Sequence, residues 1–253
     1  MRPYILAETN WEALKDAKFD LAVLPWGATE AHNYHLPYAT DNIQADHLTA
    51  ESAKLAWEKD AKVIVLPTLP FGVNTGQSDI YLDINLNPST QLAILTDIVE
   101  VLNRQGIYKL LLFNGHGGNN FKPIVRELGL KFPKMFISFC FFPQMLDKDL
   151  YFEEKGDHAD EMETSLMLYL RPDLILSKDK WGDGASKKYK INAYSEGWVW
   201  AERKWSEISE DTGVGNPHKA TAEKGEQFFN AIAEKLGSFI VELCEADLED
   251  MYE

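Results

Sequence analysis

Four short, nearly unbroken apolar runs set the limits on what this chain can become: FDLAVLPWG (19–27), KVIVLPTLPFG (62–72), YKLLLFNG (108–115) and KMFISFCFF (134–142). Runs of this length without polar alternation are the pattern of strands buried on both faces, and such strands belong to parallel sheets. Helical patterns separate them. DNIQADHLTAESAKLAWEKD (41–60), PSTQLAILTDIVEVLNRQG (88–106, with Pro88 near its start and Gly106 at its end) and NFKPIVRELGLKF (120–132) lie between successive runs. DEMETSLMLYLRP (160–172) and TAEKGEQFFNAIAEKLGSFIVELCEAD (221–247) follow the last one. The alternation predicts βαβ crossovers and an α/β fold, three-layer α/β/α with a mostly parallel central sheet, in one domain over residues 1–253. The stretch 179–215, rich in Trp, Tyr, Gly, Ser and charge, has no clean period and reads as a long excursion over the surface.

Composition excludes several partners. The 40 acidic residues outnumber the 25 basic ones for a formal charge of -15, with no local Lys/Arg cluster, so phosphate backbones and anionic lipid surfaces are repelled. Neither nucleic acid nor a membrane is an expected partner. The start, MRPYILAETNWEALKD, has no long apolar core of a signal peptide, and no stretch reaches the apolar length of a membrane span. The two cysteines, Cys140 and Cys244, lie far apart among apolar neighbours and read as buried free thiols. Together these features point to a cytoplasmic protein.

In an open α/β sheet, ligands collect outside the carboxyl ends of the strands, and the chemically active residues of this chain fall there. LPWGATEAHNYHLPYATD (24–41) places Glu30, His32, His35 and Asp41 just after the first run, NTGQSD (74–79) follows the second, NGHGGNN (114–120) the third, and KGDHADEMETS (155–165) comes after the fourth. Glu30 and His32 are two apart, so extended backbone turns both the same way. On their own they read as a surface turn or a buried hydrogen-bonded pair as readily as a metal site. His116 arrives from another strand end in a glycine-rich turn, and Glu163 adds a third carboxylate. Carboxylates mixed with imidazoles suit zinc, manganese or iron better than calcium, which prefers an all-oxygen shell. Five such ligands with one shared carboxylate allow two ions about 3.5 Å apart and a bridging water activated to attack a carbonyl. NGHGGNN also looks like a phosphate-cradling loop, but it lacks the lysine and the glycine spacing of one. His35 reads as a brace for the turn before Leu36, His47 as a surface or core residue on a helix face, His218 as part of the cap of the last helix, and Trp198, Trp200 and Trp205 as packing or interface residues.

GATEAHNYHLPYATD, NGHGGN, DHADEMETS and GVGNPHKATAEKG, in that order, resemble the creatininase (creatinine amidohydrolase) family, and the likeness covers most of the chain. It implies a two-metal amidohydrolase: Glu30, Asp41 and His116 on the first ion, and His32 with the bridging Asp41 on the second. Creatininases proper add a glutamate two residues after the motif histidine, where this chain has Gly118, and Glu163 is the expected substitute. The resemblance further implies that Asp157 and His158 form the acid and imidazole pair that carries a proton to the leaving nitrogen; otherwise Asp157 is a helix cap with His158 packed beneath it. It also implies a small-molecule substrate and a homo-oligomeric ring, such as a hexamer.

The departures lie around the pocket. Asn33 stands where family members usually have glycine, LDINL (82–86) where they have a Pro-Gly-Thr stretch, and there is no tryptophan between Trp57 and Trp181. The expected reaction is therefore the opening of a small cyclic amide or related carbonyl compound, with a formamide or cyclic ketone as the alternative to creatinine itself. A protein of the same fold that binds a metal or small molecule without turnover would have no need of the proton-carrying pair.

Overall fold

In the computed structural model, which describes residues 2–253, the four apolar runs form four parallel strands: β1 (Leu21–Trp26), β2 (Val63–Val65), β3 (Lys109–Asn114) and β4 (Phe136–Phe141). Their order across the sheet is β2-β1-β3-β4, with Leu21 opposite both Val63 and Lys109, and Lys109 opposite Phe136. The helices are α1 (Trp11–Leu14), α2 (Thr40–Trp57), α3 (Pro88–Gln105), α4 (Lys122–Lys131), α5 (Glu161–Leu170), α6 (Asn192–Ser195), α7 (Trp205–Ile208) and α8 (Ala222–Glu245), of which α1, α6 and α7 are single turns. Pro88 opens α3, where its missing N–H has no helical acceptor anyway, and Gly106 closes it in the left-handed conformation at φ 80°.

Alternate residues of the strands feed two apolar layers. Leu21, Val23, Leu111 and Phe113 pack with Leu48 of α2, Met162 and Leu166 of α5, and Phe228, Ile232 and Leu236 of α8. Ala22, Leu24, Trp26, Leu110 and Leu112 pack on the opposite side with Leu95 and Val99 of α3 and Ile124 and Leu128 of α4. The result is helices over both faces of the sheet, as the alternation predicts. Helices α5 and α8 meet backbone to backbone, because a Cβ on Gly225 would stand 1.9 Å from the Ser165 carbonyl oxygen.

Two points differ from the expectation drawn from the apolar runs. β4 is an edge strand and only Ile137 in it is buried, while Phe136 and Cys140 are half-buried against the opposite layer and Phe139 is 40% exposed, so both faces of this run are covered only in part. Pro25, an awkward residue for a central strand, costs no strand pair: its carbonyl accepts from Leu69 N–H on the β2 side, beyond Val65, where β2 has already ended. The excursion contains only single turns and short bridges, Ser186 to Ser209 and His158 to Val214. It lies near the carboxyl ends of the strands, where Val214 N–H donates to the His158 carbonyl at 2.8 Å.

Candidate metal centre

The candidate residues are delivered by the ends of four elements, β1, α2, β3 and α5. Glu30 and His32 sit on the loop that leaves β1, and the chain then returns so that Asp41 falls in the first turn of α2, where free N–H groups and the helix dipole favour a carboxylate. His116 lies in the turn after β3. Glu163 lies in the first turn of α5, which Asp160 caps by accepting the Glu163 N–H at 3.1 Å. Glu30, His32, Asp41, His116, His158 and Glu163 are all buried. Their ligand atoms converge in three groups, each within 4.8 Å: Glu30 with Asp41 and His116; His32 with Asp41 and Glu163; and Glu30 with His32 and His158. Asp41 is shared by the first two.

The backbone decides which ring nitrogens face this cluster. A carbonyl oxygen only accepts, so a ring nitrogen beside one must carry its proton there. His116 Nε2 donates to Val73 at 3.0 Å, His32 Nδ1 to Glu30 at 3.1 Å and His158 Nε2 to Ala31 at 2.8 Å. The three opposite nitrogens face carboxylates, and in the neutral rings that a metal requires they are the lone pairs. His116 Nδ1 stands 2.8 Å from Glu30 Oε1 and 3.0 Å from Asp41 Oδ2 without being aligned for a hydrogen bond to either, and both oxygens are buried with no donor. His32 Nε2 stands 3.0 Å from Asp41 Oδ1. The remaining Glu30 oxygen is held by the Gln77 amide, and Glu163 accepts the Ala159 N–H.

The electrostatics of the cluster call for positive charge. Burial works against a charge on His32, yet Asp41, Glu163 and Glu30 outweigh it and carry its pKa to about 10. Burial likewise opposes charge on His116, and Glu30 and Asp41 raise its pKa well above the ordinary value. Burial, helped by Asp41 and Asp160, pushes Glu163 up to about 8 despite His32. His158 moves the other way, lowered by burial and by His32, which favours its neutral ring. A cation among these donors would replace the protons they otherwise compete for.

Gly118, the point of departure from the family pattern, has no room for a side chain. A Cβ there would stand 2.2 Å from the Val73 carbonyl oxygen and 2.5 Å from His116 Nε2, the two partners of the hydrogen bond that orients His116. Gly118→Ala is expected to tilt His116 and weaken the Glu30, Asp41 and His116 group, with metal affinity falling by about 10- to 100-fold, the range for loss of a group that orients a ligand. Metal titration of chelated protein reads this directly; an unchanged affinity would show that the turn absorbs the methyl group.

The other sequence candidates are placed as follows. Asp157 lies at the cavity but does not touch His158: its carboxylate faces outward and accepts from Arg203 Nη1 at 3.0 and 3.3 Å. The orienting partner of His158 is the Ala31 carbonyl, and the cap of α5 is Asp160, so neither role read for Asp157 matches its contacts. His35 does brace its turn, with Nε2 3.0 Å from Thr164 Oγ1 and its ring stacked on Trp181 at 4.6 Å. His47 is exposed, and Thr221 rather than His218 caps α8. Asn33 takes φ 53°, the left-handed conformation that explains a glycine at this position and that asparagine tolerates. Trp198 and Trp200 are exposed, whereas Trp205 is buried with its ring edge-on to His158 at 4.7 Å. Gln77 and Arg203 are site neighbours that the sequence does not single out, and Trp205 stands out there only as a packing or interface residue; of these only Gln77 lies in a strand-end motif.

Glu30, Asp41, His116, His158, Glu163 and Arg203 line a cavity of about 400 Å³ together with Phe141, Gln144 and Lys148. The family profile of creatininase, described as creatinine amidohydrolase, matches residues 7–240. The chain belongs to the creatininase family. Over the full length of both chains this creatininase-family protein superposes, at a TM-score of 0.93 and 41% identity, on a crystal structure from Bacteroides fragilis NCTC 9343 of a protein provisionally called a creatinine amidohydrolase. Creatinine amidohydrolase of Pseudomonas putida is 28% identical over 194 residues, 67% of this chain and 73% of that one. A mycofactocin precursor peptide peptidase of Mycobacterium tuberculosis is 27% identical over 225 residues, 84% of this chain and 81% of that one. Among the described residues no helix is long and apolar enough to cross a membrane.

Proposed function

We propose that this creatininase-family chain is a metal-dependent amidohydrolase, with residues 1–253 as one catalytic unit, that opens a small cyclic amide or related carbonyl compound. The observation that carries the reading is the convergence on Asp41 of ring lone pairs and of two buried oxygens, Glu30 Oε1 and Asp41 Oδ2, that have no donor. A buried set of this kind fits a cation. Glu30, Asp41 and His116 would hold one divalent ion, and His32, Asp41 and Glu163 the other, with zinc, manganese or iron matching the mixed nitrogen and oxygen donors. Such ions, when bound, polarise a carbonyl and make water a competent nucleophile at neutral pH.

The chain's own residues do the rest. The backbone carbonyls of Val73, Glu30 and Ala31 hold the three rings in fixed tautomers. Gln77 holds one oxygen of Glu30 and leaves the other free. His158, with Nδ1 3.9 Å from Glu30 Oε1, would take a proton beside the donor cluster and pass it to the leaving nitrogen. The same reading takes the working protein as a cytoplasmic homo-oligomer, with a hexamer as the expected ring.

A peptide amide is the second substrate class, supported by the mycofactocin peptidase relatives, which are named for a precursor peptide. The small cavity, of about 400 Å³, favours a compact substrate. The test is elemental analysis of protein purified without chelator, together with a hydrolysis screen of lactams, formamides, cyclic ketones and short peptides. About two transition-metal ions per chain and turnover of a small carbonyl compound are expected. Active protein free of transition metal would overturn the reading, and turnover of peptides alone would move it to the second class.

A further inference from the structure

We infer that the substrate carries an anionic group, carboxylate or phosphate, which Arg203 and Lys148 hold at the mouth of the cavity while its carbonyl faces the donor cluster. The inference rests on the amidohydrolase reading above and names the kind of molecule it acts on.

The cavity has a buried floor of carboxylates and imidazoles, while the Arg203 and Lys148 side chains that line it are 36% and 30% exposed. In a chain of charge -15, two cations from separate segments on one small cavity run against the background. Arg203 is held in place from three sides. Its Nη1 donates to both oxygens of Asp157, its guanidinium lies 4.6 Å from the Trp205 ring, and its backbone presses on Gly76, where a Cβ would stand 2.2 Å from the Arg203 carbonyl oxygen. Trp205 in turn packs against His158. Among the described residues Asp157 is the one side-chain partner of the guanidinium, and it engages Nη1 alone, so Nη2 and Nε remain. They form the planar pair of donors that matches a carboxylate or phosphate.

Lys148 comes from the other side of the site, after β4. Its Nζ donates to the Gly156 carbonyl at 3.0 Å and lies 3.7 Å from Asp160 Oδ2, which leaves further N–H groups available. Each cation therefore has one carboxylate neighbour that positions it and donors left over for a ligand. The edge of Trp205 links the Arg203 anchor to His158, so an anion seated on Arg203 sets the distance of the rest of the molecule from the proton-carrying ring.

Hydroxamates bind divalent metals through their carbonyl end and allow the tail to be varied alone. Malonic, succinic and glutaric monohydroxamates, and their phosphonate-tailed counterparts, are compared by calorimetry with uncharged alkyl hydroxamates of the same length on the metal-loaded protein. At least one anionic tail is expected to bind about tenfold more tightly than its neutral match, the ratio of one charge-assisted hydrogen bond. In Arg203→Gln that ratio should fall to near one, and in Lys148→Gln it should shrink severalfold. Arg203 is half-exposed, so the variant retains its fold, which its metal content verifies. Preference for carboxylate or for phosphonate identifies the source of the anion. Equal affinity for charged and neutral tails in the wild type, or a ratio untouched by Arg203→Gln, overturns the inference and leaves the amidohydrolase reading standing. Failure of every hydroxamate to bind metal-loaded protein overturns that reading first and this one with it.

Discussion

Asp41→Ala protein is expected to carry neither metal ion and to lose hydrolysis altogether, the largest effect of any single substitution in this chain. Asp41 is the one side chain common to the two groups that surround Glu30 and His116 on one side and His32 and Glu163 on the other. Its Oδ1 lies 3.0 Å from His32 and its Oδ2 3.0 Å from His116, so one truncation removes a ligand atom from both. The measurement that separates loss of metal from loss of fold is thermal unfolding with and without chelator. A ligand present at a thousand times its Kd stabilises the folded state by about 4 kcal/mol, which for a chain of this size shifts Tm by about 10 °C. Wild-type protein should show a shift of that order on chelation; Asp41→Ala should show none. A variant that still responds to chelator retains a site that does not depend on Asp41. His32→Ala, which touches only one of those two groups, should empty one position and keep part of the shift.

The second large effect is kinetic. His158→Ala is expected to keep near-normal metal content and lose about 10²- to 10⁴-fold in rate, the usual contribution of a positioned acid or base. The loss should be smaller for a substrate whose leaving group departs readily as an anion, since that group needs the proton less. The geometry makes the outcome informative, because His158 also stands with Glu30 and His32 in a third convergent group. Metal lost from the variant, or an equal loss of rate on leaving groups of different basicity, would place His158 in the ligand shell or the scaffold. Glu163→Gln is the companion measurement. It removes charge from the second group and should lower metal occupancy and turnover together.

The fold was legible because its elements are short and nearly uniform. Apolar runs of strand length between helices, one of them opened by Pro88 and closed by Gly106, leave little choice but a covered parallel sheet, and the strand ends then collect Glu30, His32, Asp41, His116 and Glu163 into one place. What could not be read is what depends on contacts distant in the sequence. Arg203 meets Asp157 across 46 positions and Asn33 meets Asp211 across 178, from a segment without period. The neighbour of Asp157 in the sequence is His158, which made the two look like a working pair. The backbone turns them apart, one to a guanidinium at the surface and the other to a buried carbonyl. The partial burial of β4 was hidden for a related reason, since an apolar run records hydrophobicity and not how much of it the rest of the chain will cover.

The three imidazoles are oriented by main-chain oxygens of Val73, Glu30 and Ala31, and a main-chain oxygen has no codon of its own. No exchange of side chain at those positions deletes the acceptor. Mutational damage to ring orientation must therefore come through residues that shift the path of the chain, such as Gly72, where a Cβ would meet the His116 ring at 2.6 Å. Arg203, Lys148 and Gln144, by contrast, contribute to the cavity through side chains that a single base change can replace. A lineage built on this plan can explore new substrates at the mouth of the cavity while the ring tautomers at its floor are inherited unchanged.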